Sequence, residues 1–291
     1  MTLLQALFMG LLQGATELFP VSSLGHAVLV PSLLHWSFKQ SDSSFVPFLV
    51  LLHLGTATAL LVLYRSQWVS IIRGFFTAAF RGSITSDSER LAMLLMTGTL
   101  PAAVLGVFLE SHIKALFASP VAAAAFLVVN GGVMLAAELL RRRAERLAAL
   151  ESRPRAEQEE RFTDAAHISF VAAAIVGACQ ALAFVPGISR SGVTIAGGLV
   201  AGLRHTEAAR FSFLLATPTI LGAGLLEVPQ LFATRVPVGE YVLAALLSGI
   251  AAYASARFLL RYFRSGRLDP YGWYCIAAGL IAANFVRPKT V

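Results

Sequence analysis

Charge is scarce in this chain, and its scarcity excludes more than any motif does. Asp, Glu, Lys and Arg make up 13% of the 291 residues, against about a quarter in ordinary soluble domains. With 57% of residues hydrophobic and a mean hydropathy of +0.72, the chain reads as an integral membrane protein rather than a soluble enzyme. Cysteine is nearly missing too. Cys179 and Cys275 both sit in apolar segments, where they form neither a metal-ligand spacing nor a disulfide framework. No charge precedes the first apolar stretch, which reads against a cleavable signal peptide. The net charge of +7 does not mark a nucleic-acid protein. Nearly all of it falls in short connectors, as lipid headgroups and the positive-inside bias require.

Long apolar runs are what the chain does have. Six are expected to span, at roughly 47–64, 92–110, 119–140, 210–227, 240–263 and 271–286, since a span needs about 20 residues. Residues 3–34 and 168–203 behave differently. Each is two short apolar arms broken by a Pro/Gly/Ser-rich polar elbow. Non-helical backbone at membrane depth is tolerated only inside protein or against a cavity, so both read as re-entrant hairpins. The expected fold is an all-α integral membrane protein with six transmembrane helices and two re-entrant helical hairpins in an inverted-topology repeat. Its first repeat is 1–140, a charged cytoplasmic connector follows at 141–167, and the second repeat is 168–291. The elbows resemble each other: Gly10-x-x-Gln13 leads to Pro20-x-Ser22-Ser23-x-Gly25, and Gly177-x-x-Gln180 leads to Pro186-x-x-Ser189-Arg190-Ser191-Gly192. Broken helices at the junction of inverted repeats typically frame a binding site.

Arginine and lysine orient this topology. Of 23, the connectors on one side hold 16 and the amino-terminal side holds 5, while Arg190 and Arg257 lie within segments. The bias puts the arginine-rich side in the cytoplasm and both termini outside, with the pocket opening toward the outer face. Within residues 66–90, Ile71, Ile72, Phe75, Phe76 and Phe80 beside Arg73 and Arg81 read as a short helix on the inner leaflet.

The elbows carry the chemistry. Gln13 and Glu17 share a helix face at i, i+4, and a carboxylate beside an amide oxygen suits a hard cation such as Mg²⁺ or Ca²⁺, with substrate phosphate and water completing its shell. The same pair also serves simply to knit helices. Ser22, Ser23 and His26 follow, and serine and histidine are both nucleophiles for a phosphoryl group. In the second elbow Gly187 and Gly192 allow close backbone approach, a helix starting near Ser191 presents its positive end, and Arg190 offers a fork matched to phosphate oxygens. Arg190 also reads as a buried partner of Glu17, and the two roles are compatible. His53, Thr56, Thr217 and Thr219 read mainly as polar packing between helices. Glu110, Glu138 and Glu227 read as interfacial, and His35, His112, His167 and His205 as loop residues. Together the elbows fit a phosphate or pyrophosphate on a lipid, since phosphoryl transfer needs positioning and charge neutralisation above all.

At these residues the chain resembles the bacterial undecaprenyl-pyrophosphate phosphatase family, also called the bacitracin-resistance family. That family carries [E/Q]-x-x-x-E running into P-V-S-S-x-G-H, and P-G-x-S-R-S-G in its second half. Both are complete here, from Gln13 through Glu17 to His26 and from Pro186 to Gly192. The likeness continues through His53-Leu54-Gly55-Thr56 and Arg210-Phe211-Ser212-Phe213-Leu214-Leu215-Ala216-Thr217-Pro218 and covers essentially the whole chain. It implies a hydrolase of the bacterial inner membrane that converts undecaprenyl pyrophosphate to undecaprenyl phosphate and phosphate. That reaction recycles the carrier lipid of peptidoglycan synthesis, and abundance of the enzyme confers bacitracin resistance. The implied cofactor is a divalent cation, Mg²⁺ or Ca²⁺; the partners are a polyprenyl pyrophosphate and membrane lipids, with a homodimer left open. Carried over, Glu17 becomes the metal or water-activating carboxylate assisted by Gln13, and Arg190 the pyrophosphate clamp. Ser23 and His26 become nucleophile and acid/base partner, in an order left open. Thr16, Ser22, Gly187, Ser189, Ser191 and Gly192 are expected around the substrate. Two departures stand out: Gln13 is the uncharged of the two residues allowed there, and Cys275 follows Tyr274 where the family often has arginine. The runner-up is a transporter or flippase for a lipid-linked phosphate, because inverted repeats with broken helices are also transporter architecture.

Overall fold

The computed structural model describes residues 1–36, 42, 44–116, 119–150, 164–233 and 238–286, with the side chains at 107, 109–116, 148–150 and 226–233 left aside. The expected cytoplasmic connector therefore falls partly outside the described residues, as do Lys39, Arg235 and Arg287; the side chains of Glu110, His112 and Glu227 lie there too.

The first elbow is set by its sequence. Helix α1, Leu3–Leu18, opens on a capping box between Thr2 and Gln5 that satisfies two otherwise orphaned N–H groups. It stops because Phe19 precedes Pro20 and takes an extended conformation (ψ 137°). Helix α2, Ser23–Leu33, restarts at Ser22, whose side chain accepts from the Gly25 N–H. Ser22 holds φ 66° without being glycine, a conformation that costs of order 1–3 kcal/mol and needs surroundings that enforce it.

Then come α3 (Phe45–Leu63), α4 (Arg65–Arg81), α5 (Asp87–Leu116) and α6 (Pro120–Leu150). The second elbow repeats the device. Helix α7, Phe170–Cys179, tightens into a 3-10 stretch over Gln180–Phe184, and α8, Arg190–Val200, restarts at Ser189, which accepts from the Gly192 N–H. Helices α9 (His205–Ala233), α10 (Val238–Tyr262) and α11 (Asp269–Phe285) complete the chain. Among the described residues every long element is helical. Four segments among the described residues are long and apolar enough to cross a membrane: Phe45–Leu63, Pro120–Leu147, His205–Leu225 and Val238–Tyr262. The expected span at 92–110 lies in α5 and falls partly on side chains outside the described ones; α11, where the sequence places the last span, has 17 residues against the roughly 20 a span needs.

The two halves interlock rather than sitting side by side. α1 packs on α10, α7 on α5, α3 on α9 and α10, and α6 on α8 and α11. Both first arms approach their partners through glycine. A Cβ on Gly10 would run into the Ala244 carbonyl of α10, and one on Gly177 into the backbone of Gly98 in α5.

Two sequence expectations need correction. Glu138 is not interfacial but 0% exposed; it accepts from Arg267 (2.6 Å) and from the Leu268 N–H (3.1 Å), and pairs with His205 (2.9 Å). A buried carboxylate survives only with such partners. His205 is accordingly no loop residue: it opens α9 and belongs to that cluster. The charged run from 141 continues α6 to Leu150 before the described residues end, as expected of a helix leaving the bilayer. Helix α4 matches the amphipathic reading, burying Ile71, Gly74 and Ala78 while Val69, Ile72, Phe76 and Phe80 are exposed.

Candidate active site

The end of α1 and the start of α8 bring Glu17 and Arg190 into contact, with Arg190 Nη2 donating to Glu17 Oε1 at 2.6 Å. The other carboxylate oxygen, Oε2, accepts from Ser23 Oγ at 2.5 Å and from Gln13 Nε2 at 2.9 Å, and lies 3.2 Å from His53 Nε2. Glu17 is 5% exposed. Its charge is tolerated there because cations and donors saturate it, whereas an isolated carboxylate would not stay ionised.

The elbows are also latched to each other. Ser22 Oγ donates to the Ile188 carbonyl (3.1 Å), and Ser191 Oγ reaches the carbonyls of Glu17 (3.1 Å) and Phe19 (3.2 Å). Asn130 of α6, 0% exposed, donates from Nδ2 to the Pro20 carbonyl (3.1 Å) and accepts from the Ser189 N–H (2.9 Å). One carboxamide thus satisfies a backbone acceptor of the first elbow and a backbone donor of the second. Gly187 makes the approach possible. It sits at φ +105° against the Ala123 carbonyl, where a side chain would be both strained and obstructed.

These groups border a cavity of about 240 Å³. Its polar wall holds Glu17, Ser22, Ser23, His53, Ser189 and Arg190; Leu24, Leu49, Phe184, Ile188, Ile220 and Ala223 are among its apolar lining. Of the residues expected around the substrate, Ser22 and Ser189 reach this wall. Gln13, Thr16, His26, Gly187, Ser191 and Gly192 are not part of it. The Thr16 hydroxyl returns to the Leu12 carbonyl (2.7 Å) within its own helix.

His26 is the main surprise. Its Nδ1 lies 2.7 Å from the Ser22 carbonyl and its Nε2 2.8 Å from Tyr274 Oη, with the two rings stacked. Since a carbonyl only accepts, Nδ1 carries the hydrogen and Nε2 takes the tyrosine's. Both nitrogens are occupied away from Glu17. The imidazole against the carboxylate is that of His53, which the sequence reading placed among packing residues. Its Nδ1 faces the Leu49 carbonyl at 2.7 Å and its Nε2 faces Glu17, so the ring donates from both nitrogens. Asn130 was missed altogether. The flanking His53-Leu54-Gly55-Thr56 run was the one signal pointing toward His53; Asn130 has none, since it sits in an apolar run.

Structure and site together define a class: a multi-pass membrane protein, helical throughout its described residues, with a carboxylate, a hydroxyl and a guanidinium clustered in one buried site. The chain belongs to the family described as Bacitracin resistance protein BacA, whose family model matches residues 6–281. Its curated relatives include Undecaprenyl-diphosphatase 2 of Chromobacterium violaceum, 43% identical over 98% of this chain and 99% of that one. The Undecaprenyl-diphosphatase of Granulibacter bethesdensis is 46% identical over 96% and 95%, and that of Mycobacterium avium 45% identical over 94% of each.

Proposed function

We propose that this protein hydrolyses undecaprenyl pyrophosphate to undecaprenyl phosphate and phosphate, recycling the carrier lipid of cell-wall synthesis. The observation that carries the reading is the 2.5 Å hydrogen bond from Ser23 Oγ to Glu17 Oε2, on the wall of a largely apolar cavity that also exposes Arg190. A hydroxyl donating to an ionised carboxylate is a nucleophile already paired with its base. Glu17 takes the serine proton as Oγ attacks the terminal phosphorus; the Oγ–P bond forms and the bridging P–O bond breaks, releasing the prenyl phosphate. The departing prenyl phosphate carries that proton away, leaving Glu17 ionised again; water then attacks the phosphoserine, Glu17 takes the water's proton and passes it to Ser23 Oγ as the Oγ–P bond breaks, freeing phosphate. Arg190 neutralises charge on the transferring group. This assigns attack to Ser23, with His26 setting the turn through Ser22 and Tyr274.

A divalent cation fits this donor set modestly. Gln13 Oε1 is buried with no hydrogen-bond partner among the described residues, one helical turn from Glu17. Turned about its last bond, the same carboxamide presents oxygen instead of nitrogen toward the carboxylate. Glu17 and Gln13 would hold Mg²⁺ or Ca²⁺, and the ion would offset pyrophosphate charge. Its remaining ligands would come from phosphate and water.

The finer architecture belongs to the same proposal: six spans and two re-entrant hairpins in inverted repeats, 1–140 and 168–291, in the bacterial inner membrane. Both termini lie outside and the cavity opens toward the outer face. Helix α2 has 11 residues, about 16 Å of helix, too short to cross a hydrocarbon core of about 30 Å. Like helices pair across the halves, α3 with α9 and α6 with α11, and each first arm crosses to the opposite half, as a two-fold relation demands.

The test is phosphate release from a polyprenyl pyrophosphate by purified protein in detergent with Mg²⁺ or Ca²⁺. Wild type releases phosphate; Ser23→Ala and Glu17→Gln lose at least about a hundredfold. A wild type that releases none, yet moves a lipid-linked phosphate across vesicles, would make the protein a carrier, which needs Arg190 but no serine–carboxylate pair.

A further inference from the structure

We infer that His53 is a positioning residue for the serine–carboxylate pair: it turns one oxygen of Glu17 toward Ser23 and keeps the carboxylate from collapsing onto Arg190. The inference rests on reading Ser23 as nucleophile and Glu17 as its base.

An arginine beside a carboxylate ordinarily takes both oxygens in a fork. Here Arg190 reaches only Oε1 through Nη2, while Oε2 is turned aside to receive Ser23, Gln13 and His53. Gln13 stands on α1 itself and moves with Glu17. Ser23 is the group to be served. Among the described residues His53 is the remaining donor on Oε2, and it comes from a separate helix, α3. Its ring is held in turn, since Nδ1 is tied to the Leu49 carbonyl of its own helix at 2.7 Å. That helix is seated on α10, where Ser248 Oγ donates to the Leu52 carbonyl at 3.0 Å. The orientation of the base is thereby referred to a helix outside both elbows. Without the Nε2 donor, Oε2 is free to rotate into the vacant half of the Arg190 fork. The ion pair then improves as an ion pair and Ser23 loses its acceptor.

The ring's two nitrogens offer a stereochemical test. In His53→Asn the side-chain N–H falls where Nδ1 was and reaches Leu49 but not Glu17. In His53→Gln the longer side chain places its N–H where Nε2 was and reaches Glu17. Steady-state phosphate release from a polyprenyl pyrophosphate is measured for both variants, with Ser23→Ala in parallel and thermal unfolding in detergent as the fold control. The expected result is that His53→Gln keeps kcat within about tenfold of wild type. His53→Asn should lose about a hundredfold, the scale set by an ångström of misplacement, and KM should change little because Arg190 and the apolar wall are intact. Equal kcat in the two variants, or a loss confined to KM, overturns the inference. If Ser23→Ala keeps wild-type turnover, the underlying nucleophile reading fails instead.

Discussion

Glu17 is stable in an apolar setting only as one half of an arrangement, and that fixes what its substitutions do. Removing it leaves Arg190, 13% exposed, as an uncompensated charge, and breaking a buried pair from one side costs about 3–5 kcal/mol. Glu17→Leu should therefore lower the unfolding midpoint sharply, whereas the double substitution Glu17→Leu, Arg190→Met should recover most of the loss and remain inactive. A double variant no more stable than the single would mean that the pair is not what burial makes it. Arg190→Lys keeps the charge but replaces the planar fork with a point charge on a flexible stem. Phosphate release should survive with KM raised about tenfold or more, read directly from substrate titration. The identity of these residues was legible beforehand, because charge and imidazole inside apolar sequence are conspicuous. Their partners were not. Gln13 and Glu17 share a helix face, so their contact followed from spacing; His53 meets Glu17 from 36 residues away in sequence, and no local pattern encodes that.

At the scale of elements, the site depends on two interrupted helices being held end to end, and most of the serines do the holding. Ser22, Ser189 and Ser191 were expected to meet substrate. Their hydroxyls cap helix starts or bond carbonyls of the opposite elbow, and Ser22 and Ser189 line the cavity as well. The reason is physical: a broken helix at depth exposes N–H and C=O groups that water cannot reach, and short hydroxyl side chains are the nearest remedy. Asn130 is the crosspiece. Asn130→Ala would orphan the Pro20 carbonyl and the Ser189 N–H together, at about 1–3 kcal/mol for each buried group. Thermal unfolding should register the loss, and kcat should fall with it because Arg190 follows Ser189 directly. Undiminished stability in Asn130→Ala would show that the two backbone groups find other partners. The elbows' positions were readable from Pro, Gly and Ser interrupting apolar runs, and so was the amphipathic α4. The helix continuing past residue 140 was readable as well from its dense mixed charge; its partners were not, since Arg142 meets Asp269 at 2.5 Å from 127 residues away.

For the whole molecule, the arginine count, the short arms and the crosswise packing of the halves converge on one topology, which chemical labelling can decide. Thr2 and Gly239 lie at the ends assigned to the outside, Ser83 and Ser265 at connectors assigned to the cytoplasm, and all four are exposed. Single cysteines at these positions, in a Cys179→Ala background that leaves the buried Cys275 in place, should divide cleanly. A membrane-impermeant maleimide added to intact spheroplasts should label Thr2→Cys and Gly239→Cys, and reach Ser83→Cys and Ser265→Cys only after permeabilisation. The pairs test different hairpins. Between Thr2 and Ser83 lie the first elbow and α3, so a first elbow that crossed once would put both on one side. Between Ser83 and Ser265 the second elbow must return the chain to its own face, or Ser265→Cys becomes reactive from outside. The first pattern would send the two elbows into the bilayer from the same leaflet, and the second would make the second elbow a span rather than a hairpin; either would overturn the inverted repeat.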